Sequence, residues 1–258
     1  MIVPERMNVK CEVIMKNTLK RLAETYETTD FLTDDPSKFM HLVSGDRNQE
    51  VMAFIASSLS YGSRKQFLPK IQQILDWSNG EVYDWIKSGE FSTELQCDDK
   101  RCFYRLYTCA KMYQFFEALQ RLLIQYGTLK DYVRLNATDG FTAVAAICRY
   151  FADAGIEGII PKSTDSACKR VCMFLRWMVR KDSPVDLGLW ADIIDRRTLI
   201  IPLDTHVLQQ SQRLGLITSK AASMNTAVKI TKKLLEFFPD DPLKGDFALF
   251  GYGVNKKD

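Results

Sequence analysis

The sequence predicts an all-helical fold, and three features carry that expectation. Apolar residues recur at three- and four-residue spacing along almost the whole chain, the period of one helix face. Glycine (13) and proline (8) are scarce in 258 residues, below the roughly 12% of average usage, which favours long helices over many short strands. Only Leu199-Ile200-Ile201 reads as extended. An all-β fold is thereby set aside.

In chain order, Met15, Leu19, Leu22 and Tyr26 mark a first amphipathic helix. Asp34-Asp35-Pro36 reads as an N-cap followed by a proline at the first helical position, and Asp240-Asp241-Pro242 reads the same way near the C-terminus. Val51, Met52, Ile55 and Leu59 give a second helix. Gly62 closes it, and Ser63 with Gln66 has the pattern of a capping box opening the helix of Phe67, Leu68, Ile71, Ile74 and Leu75. Met112, Phe115, Phe116, Leu119 and Leu123 predict a helix ending near Gly127, and Val228, Thr231, Leu234, Leu235 and Phe238 one stopped by Pro239. Asp204 reads as the N-cap of a helix through Arg213-Leu214 to Gly215, with His206 as one of its ordinary residues.

The composition narrows the function classes. The formal net charge of +3 neither demands nor forbids a nucleic acid, so an electrostatic partner must be read from local charge. The N-terminal Met1-Ile2-Val3-Pro4-Glu5-Arg6 meets charge before an apolar stretch builds, and no segment reaches the about 18 apolar residues of a membrane span. A soluble, cytoplasmic protein with no membrane partner is the expectation. Seven cysteines without regular spacing fit reduced thiols. Cys168 and Cys172 stand four apart, but His41 and His206 are the only histidines, too few to complete a structural zinc site; no metal and no cofactor are expected. Phosphate-loop, dinucleotide and serine-hydrolase glycine motifs are missing from the sequence.

Charge concentrates from Pro161 to Lys181, where Lys162, Lys169, Arg170, Arg176, Arg180 and Lys181 face one acid, Asp165. At 100° per residue Val171, Phe174, Leu175, Met178 and Val179 form an apolar face, and Lys169, Arg176 and Arg180 fall together opposite it. That stripe reads either as a solvated face or as a ridge for a phosphate backbone, joined by Arg64 and Lys65 at the Gly62 turn.

Two resemblances extend the reading. The blocks Ser166-Ala167-Cys168-Lys169-Arg170, Phe174 through Asp182, Pro202-Leu203-Asp204-Thr205-His206-Val207 and Asp246-Phe247-Ala248-Leu249-Phe250-Gly251 resemble, over nearly the whole chain, an uncharacterised bacterial family known as a domain of unknown function. More distantly, Leu203 to Val207 with Arg213-Leu214-Gly215-Leu216, Phe54 to Gly62, and Ala167 to Arg180 resemble three segments of the helix-hairpin-helix DNA glycosylases of the endonuclease III superfamily. That second resemblance implies a two-lobed helical fold, residues 48–181 in one lobe and residues 1–47 with 182–258 in the other, and a cleft between them. It implies a monomer that binds damaged or abasic DNA, excises a base and cleaves the strand as an AP lyase. Lys169 holds the position of the attacking lysine and Asp204 that of the assisting aspartate; Arg64, Lys65, Arg170, Arg176 and Arg180 would contact the backbone, and Tyr61 or Trp177 would stack on the flipped base. The superfamily's hairpin glycines have no counterpart in Pro161 to Lys169, and no cysteine follows Cys172, so the iron-sulfur cluster of many relatives is not expected.

Those residue types suit that chemistry. A neutral amine forms a Schiff base with a sugar carbon, and a carboxylate offsets oxocarbenium charge. At an ordinary lysine pKa of about 10.4 only about one amine in a thousand is neutral near neutral pH, so the nucleophile needs burial or cationic neighbours. Two other readings remain open on the residues: a nucleic-acid-binding module without catalysis, and a helical protein-interaction domain whose basic ridge meets an acidic partner.

Overall fold

The computed structural model describes residues 4–254, with side chains from 13 to 253. Residues 1–3, part of the N-terminal stretch read above, lie outside the described residues. Helices follow one another as α1 (Pro4–Tyr26), α2 (Lys38–His41), α3 (Asp46–Leu59), α4 (Arg64–Trp77), α5 (Val82–Ser88), α6 (Cys109–Tyr126), α7 (Leu129–Asn136), α8 (Gly140–Asp153), α9 (Lys169–Val179), α10 (Thr205–Arg213), α11 (Met224–Phe237) and α12 (Lys244–Val254). The fold is all-α. Among the described residues the only sheet is an antiparallel hairpin of β1 (Cys102–Tyr104) and β2 (Tyr107–Thr108).

The two helices at the centre are buried on every side. Every residue from Glu50 to Leu59 of α3 is buried, and so is every residue from Val171 to Val179 of α9, as expected of helices enclosed by others. α3 packs on α2, α4, α5 and α9, while α9 also packs on α8. Phe54 of α3 sits at the middle of an aromatic cluster, its ring centroid 5.1–5.9 Å from those of Phe115, Phe151 and Phe174. The chain ends close on each other: α1 lies along α12, and α10 packs on α12 as well.

Capping follows local chemistry at five helix starts. Thr108, Thr128, Asp139, Asp204 and Ser223 each accept a hydrogen bond from the backbone N–H three residues on, which supplies a partner to an otherwise orphaned donor. α6 ends at Gly127 with φ +85, and α11 stops two residues short of Pro239.

Four local expectations are corrected. Ser63 stands at the N-cap of α4, yet its side chain makes no capping bond, so the capping box with Gln66 does not form. Asp35 Oδ1 accepts from Ser37 N (3.0 Å) and Ser37 Oγ (2.7 Å), which holds the turn ahead of α2 and does not cap the helix. Asp241 is engaged by the Arg180 guanidinium and not by a helix N-terminus. Leu199, Ile200 and Ile201 are buried but join no strand; the Ile201 N–H donates to Thr231 Oγ1 of α11 at 3.0 Å. No described helix is long and apolar enough to cross a membrane.

Candidate functional site

A cleft of about 550 Å3 opens where three stretches of chain converge: the turn at Asp35-Pro36, the bend Ser60 to Arg64 between α3 and α4, and the start of α9 with the Leu203-Asp204 approach to α10. Its position follows from helix ends. α3 stops at Leu59, Gly62 takes φ +89, and α4 begins at Arg64, so backbone and short polar side chains meet where packed helix faces would otherwise fill the space.

Lys169 is the first residue of α9 and Asp204 the N-cap of α10, and these two helix starts face each other. Lys169 Nζ lies 2.8 Å from Asp204 Oδ2. Their side chains stay 39% and 35% exposed, so the pair is reachable from the cleft. Asp204 serves two partners at once, because its Oδ1 also accepts the Val207 N–H at 2.8 Å. Burial alone would raise its pKa; the Lys169 ammonium, the hydrogen bond from it and the Val207 N–H outweigh that and hold the carboxyl below its ordinary value. Asp204 is thus a firm carboxylate facing a lysine amine. Chemically, such a pair supplies a nitrogen nucleophile and a fixed negative charge within bonding distance of one reacting carbon.

The cleft wall beside this pair is aromatic and cationic. Tyr61, 43% exposed, receives the Tyr104 hydroxyl on its backbone carbonyl, while the Arg105 and Arg170 guanidinium carbons stand 4.9 and 5.8 Å from its ring centroid. Arg170 is anchored by three acceptors, Ser58 O (2.6 Å), Tyr107 Oη (2.9 Å) and Gly158 O (3.1 Å). Arg64 faces Asp35 across 3.7 Å, and Lys65 next to it is exposed beside the cleft lining.

Three of the residues expected at the site lie elsewhere. Arg176 and Arg180 are 4% and 1% exposed, so the ridge of Lys169, Arg176 and Arg180 does not exist as a surface. Arg180 is bonded by Asp186, by Asp241 (Nη2 to Oδ2, 2.8 Å) and by Glu27 (2.7 Å). Arg176 pairs with Asp246 at 2.5 Å, and its Nε stands 3.3 Å from Asp186 Oδ1, near enough for an ion pair but out of line for a hydrogen bond. The polar face of α9 meets Asp246 of α12 and acids of the segments after α1, after α9 and before α12, and these carboxylates offset the cost of taking two guanidiniums out of water. Trp177 is fully buried, its ring inside the core and its indole N–H without a partner; it lines no cleft. Asp35, read in the sequence only as an N-cap, Ser60, read only as part of the Phe54 to Gly62 segment, and Arg105, not singled out at all, also bear on the site. Arg105 sits at the turn of a hairpin whose strands are too short to show an alternating pattern.

The family comparison agrees with the block resemblance. A family model described as protein of unknown function (DUF2400) matches residues 35–255. The chain belongs to this family. It matches no curated protein and no solved structure. Every residue lining the cleft, from Asp35 to Ala222, falls within the DUF2400 match. Among the described residues no group of histidines, cysteines or carboxylates is arranged to hold a metal ion.

Proposed function

We propose that this DUF2400 protein binds DNA and acts on damaged or abasic duplex as a base-excision glycosylase with AP lyase activity, Lys169 being the nucleophile and Asp204 the assisting carboxylate. One observation carries the reading: two residues 35 positions apart, held at two helix starts, meet at 2.8 Å in an open cleft. The cleft is also bordered by residues of all three sequence segments that suggested two lobes, 1–47, 48–181 and 182–258.

In the proposed cycle the target nucleotide leaves the base stack and enters the cleft, whose wall includes the half-exposed Tyr61. As the ion pair opens to admit the sugar, the Lys169 ammonium passes its proton to the departing base, the free amine bonds to the anomeric carbon, and the bond from that carbon to the base breaks, its electrons leaving with the base. Asp204 offsets the positive charge that develops on the sugar ring. The bond from that carbon to the ring oxygen then breaks, the oxygen taking a proton from the new amine, which leaves an imine; loss of a C2′ proton to water and cleavage of the C3′–O bond expel the 3′ phosphate and cut the strand. Arg64 and Lys65, outside the buried network, and Arg170 in the cleft wall are cations available to the backbone.

Borohydride reduction tests this. A duplex carrying an abasic site, incubated with the protein and borohydride, is expected to give a stable protein–DNA adduct that Lys169→Ala abolishes. If no duplex in a panel of abasic, oxidised and alkylated substrates is trapped or cleaved while binding persists, a DNA-binding module without catalysis replaces this reading.

A further inference from the structure

Three thiols lie buried directly behind the candidate site. Cys148 of α8, Cys168 and Cys172 of α9 are each at most 2% exposed. Cys172 is turned aside, its sulfur 3.6 Å from the Ala167 carbonyl. The other two face each other: Cys148 Sγ and Cys168 Sγ are 3.9 Å apart, within hydrogen-bonding distance for sulfur. A disulfide needs about 2.05 Å, so side-chain rotation and a small approach of the two helices close the gap.

The place of Cys168 makes that pair more than a core contact. It is the N-cap of α9, immediately before Lys169, and it lines the cleft. Its backbone is in the left-handed region, φ +47, which a residue with a side chain seldom adopts. Its sulfur lies 3.3 Å from Ser163 O and 3.4 Å from Ser166 O, bonds that hold the approach to α9. Drawing this sulfur towards Cys148 breaks its contacts with the Ser163 and Ser166 carbonyls, next to the backbone from which the Lys169 side chain springs.

We propose that Cys148 and Cys168 are a redox modification site, converted by a hydroperoxide into a disulfide that ties the start of α9 to α8 and changes the setting of the Lys169 amine. Of the two sulfurs only Cys168 belongs to a residue lining the cleft, so it is the one a peroxide meets, and its hydrogen bonds with Cys148 and Ser166 lower its thiol pKa, which favours attack. The Cys168 thiolate attacks one peroxide oxygen, the O–O bond breaks, and the departing hydroxide takes a solvent proton to become water. The Cys148 sulfur then attacks the sulfenic acid, the S–S bond forms, the S–O bond breaks, and the hydroxyl leaves with the Cys148 proton as a second water. Two electrons pass from the sulfurs to the peroxide, and a dithiol reverses the change.

The test needs no DNA, so its outcome is separate from the glycosylase reading. The reduced full chain is treated with hydrogen peroxide, alkylated and mapped by mass spectrometry. A Cys148–Cys168 linked peptide that dithiothreitol removes is expected, and neither Cys148→Ala nor Cys168→Ser should yield it. In parallel, the labelling rate of Lys169 by an amine-acylating reagent is expected to change severalfold between reduced and oxidised protein, and to be unresponsive to peroxide in whichever cysteine variant folds. Full alkylation of Cys148 and Cys168 after the exposed Cys97 and Cys102 have oxidised overturns the modification site. A mapped disulfide with unchanged Lys169 labelling overturns its link to the cleft.

Discussion

Asp204 carries two loads that one substitution separates. Its Oδ1 caps α10 and its Oδ2 pairs with Lys169, so an asparagine keeps an oxygen for the Val207 N–H while losing the charge. Asp204→Asn is expected to unfold at nearly the wild-type denaturant midpoint yet release base about a hundredfold more slowly, equivalent to about 3 kcal/mol of transition-state charge stabilisation. Asp204→Ala is expected to lose the same rate and, in addition, about 1 kcal/mol of stability through the missing cap. Single-turnover rates on a trapped substrate, set beside urea melts of both variants, check this; wild-type turnover by Asp204→Asn would leave the residue with its capping role alone. The pH dependence has a defined sign. The folded-state pKa lies below the ordinary carboxylate value, so the stability that Asp204 contributes is present above that ordinary value and is lost as pH falls through the lowered one.

At the scale of elements, Glu50 is a buried clasp between helices. On α3, it accepts Leu129 N (2.8 Å) and Lys130 N (3.0 Å) at the start of α7, and also Trp190 Nε1 (2.9 Å). A carboxylate there suits the helix N-terminus, but burial outweighs its three donors and raises its pKa to about 7. Because the folded value exceeds the unfolded one, the folded chain binds this proton more tightly, and stability from it declines as pH rises from about 4.5 to 7. Glu50→Gln removes the titration, so its stability relative to wild type should improve by about 3 kcal/mol between those limits, a shift of that size being about 1.4 kcal/mol per unit. Urea melts at both pH values measure it, and a difference independent of pH would mean that the three donors cancel the burial. Nothing around Asn48-Gln49-Glu50-Val51 announces this residue, since the donors arrive from sequence-distant α7 and Trp190. The helices themselves were legible, because Met112, Phe115, Leu119 and their counterparts repeat at the helical period. The Cys102–Thr108 hairpin was not, because strands of three and two residues carry no readable alternation. Lys169 and Asp204 stood out through resemblance to known segments; pattern alone read Asp204 as a cap, which it also is.

Over the whole molecule, the placement of charge decides which cations can meet a partner. Periodicity put Lys169, Arg176 and Arg180 on one face of α9, and it is silent on what covers a face. Here the cover is Glu27 at the end of α1, Asp186, Asp241 and Asp246 on α12, which fasten both chain ends to the central helix. Burial pushes the carboxyls of Asp186 and Asp246 up, and the two guanidiniums oppose that shift. Removing a guanidinium from such a network leaves buried carboxylates unpaired, so Arg180→Ala is expected to cost about 3–5 kcal/mol in a urea melt. Beside Arg170, which three neutral acceptors hold in the cleft wall, Arg64, Lys65 and Lys169 at the cleft are left for a phosphate backbone, the first only 3.7 Å from Asp35 and the last paired with Asp204. If these three neutralise three phosphates, log affinity for duplex DNA should fall with log salt at a slope of about −2.7. Reversing the exposed pair, Arg64→Glu with Lys65→Glu, should weaken binding and bring the slope towards about −0.9, with only a small fall in melting temperature from the lost contact between Arg64 and Asp35, since neither substituted side chain is buried. Fluorescence anisotropy titrations from low to moderate salt check this, and a double reversal with unaltered affinity and slope would move the DNA-binding face away from the Gly62 turn.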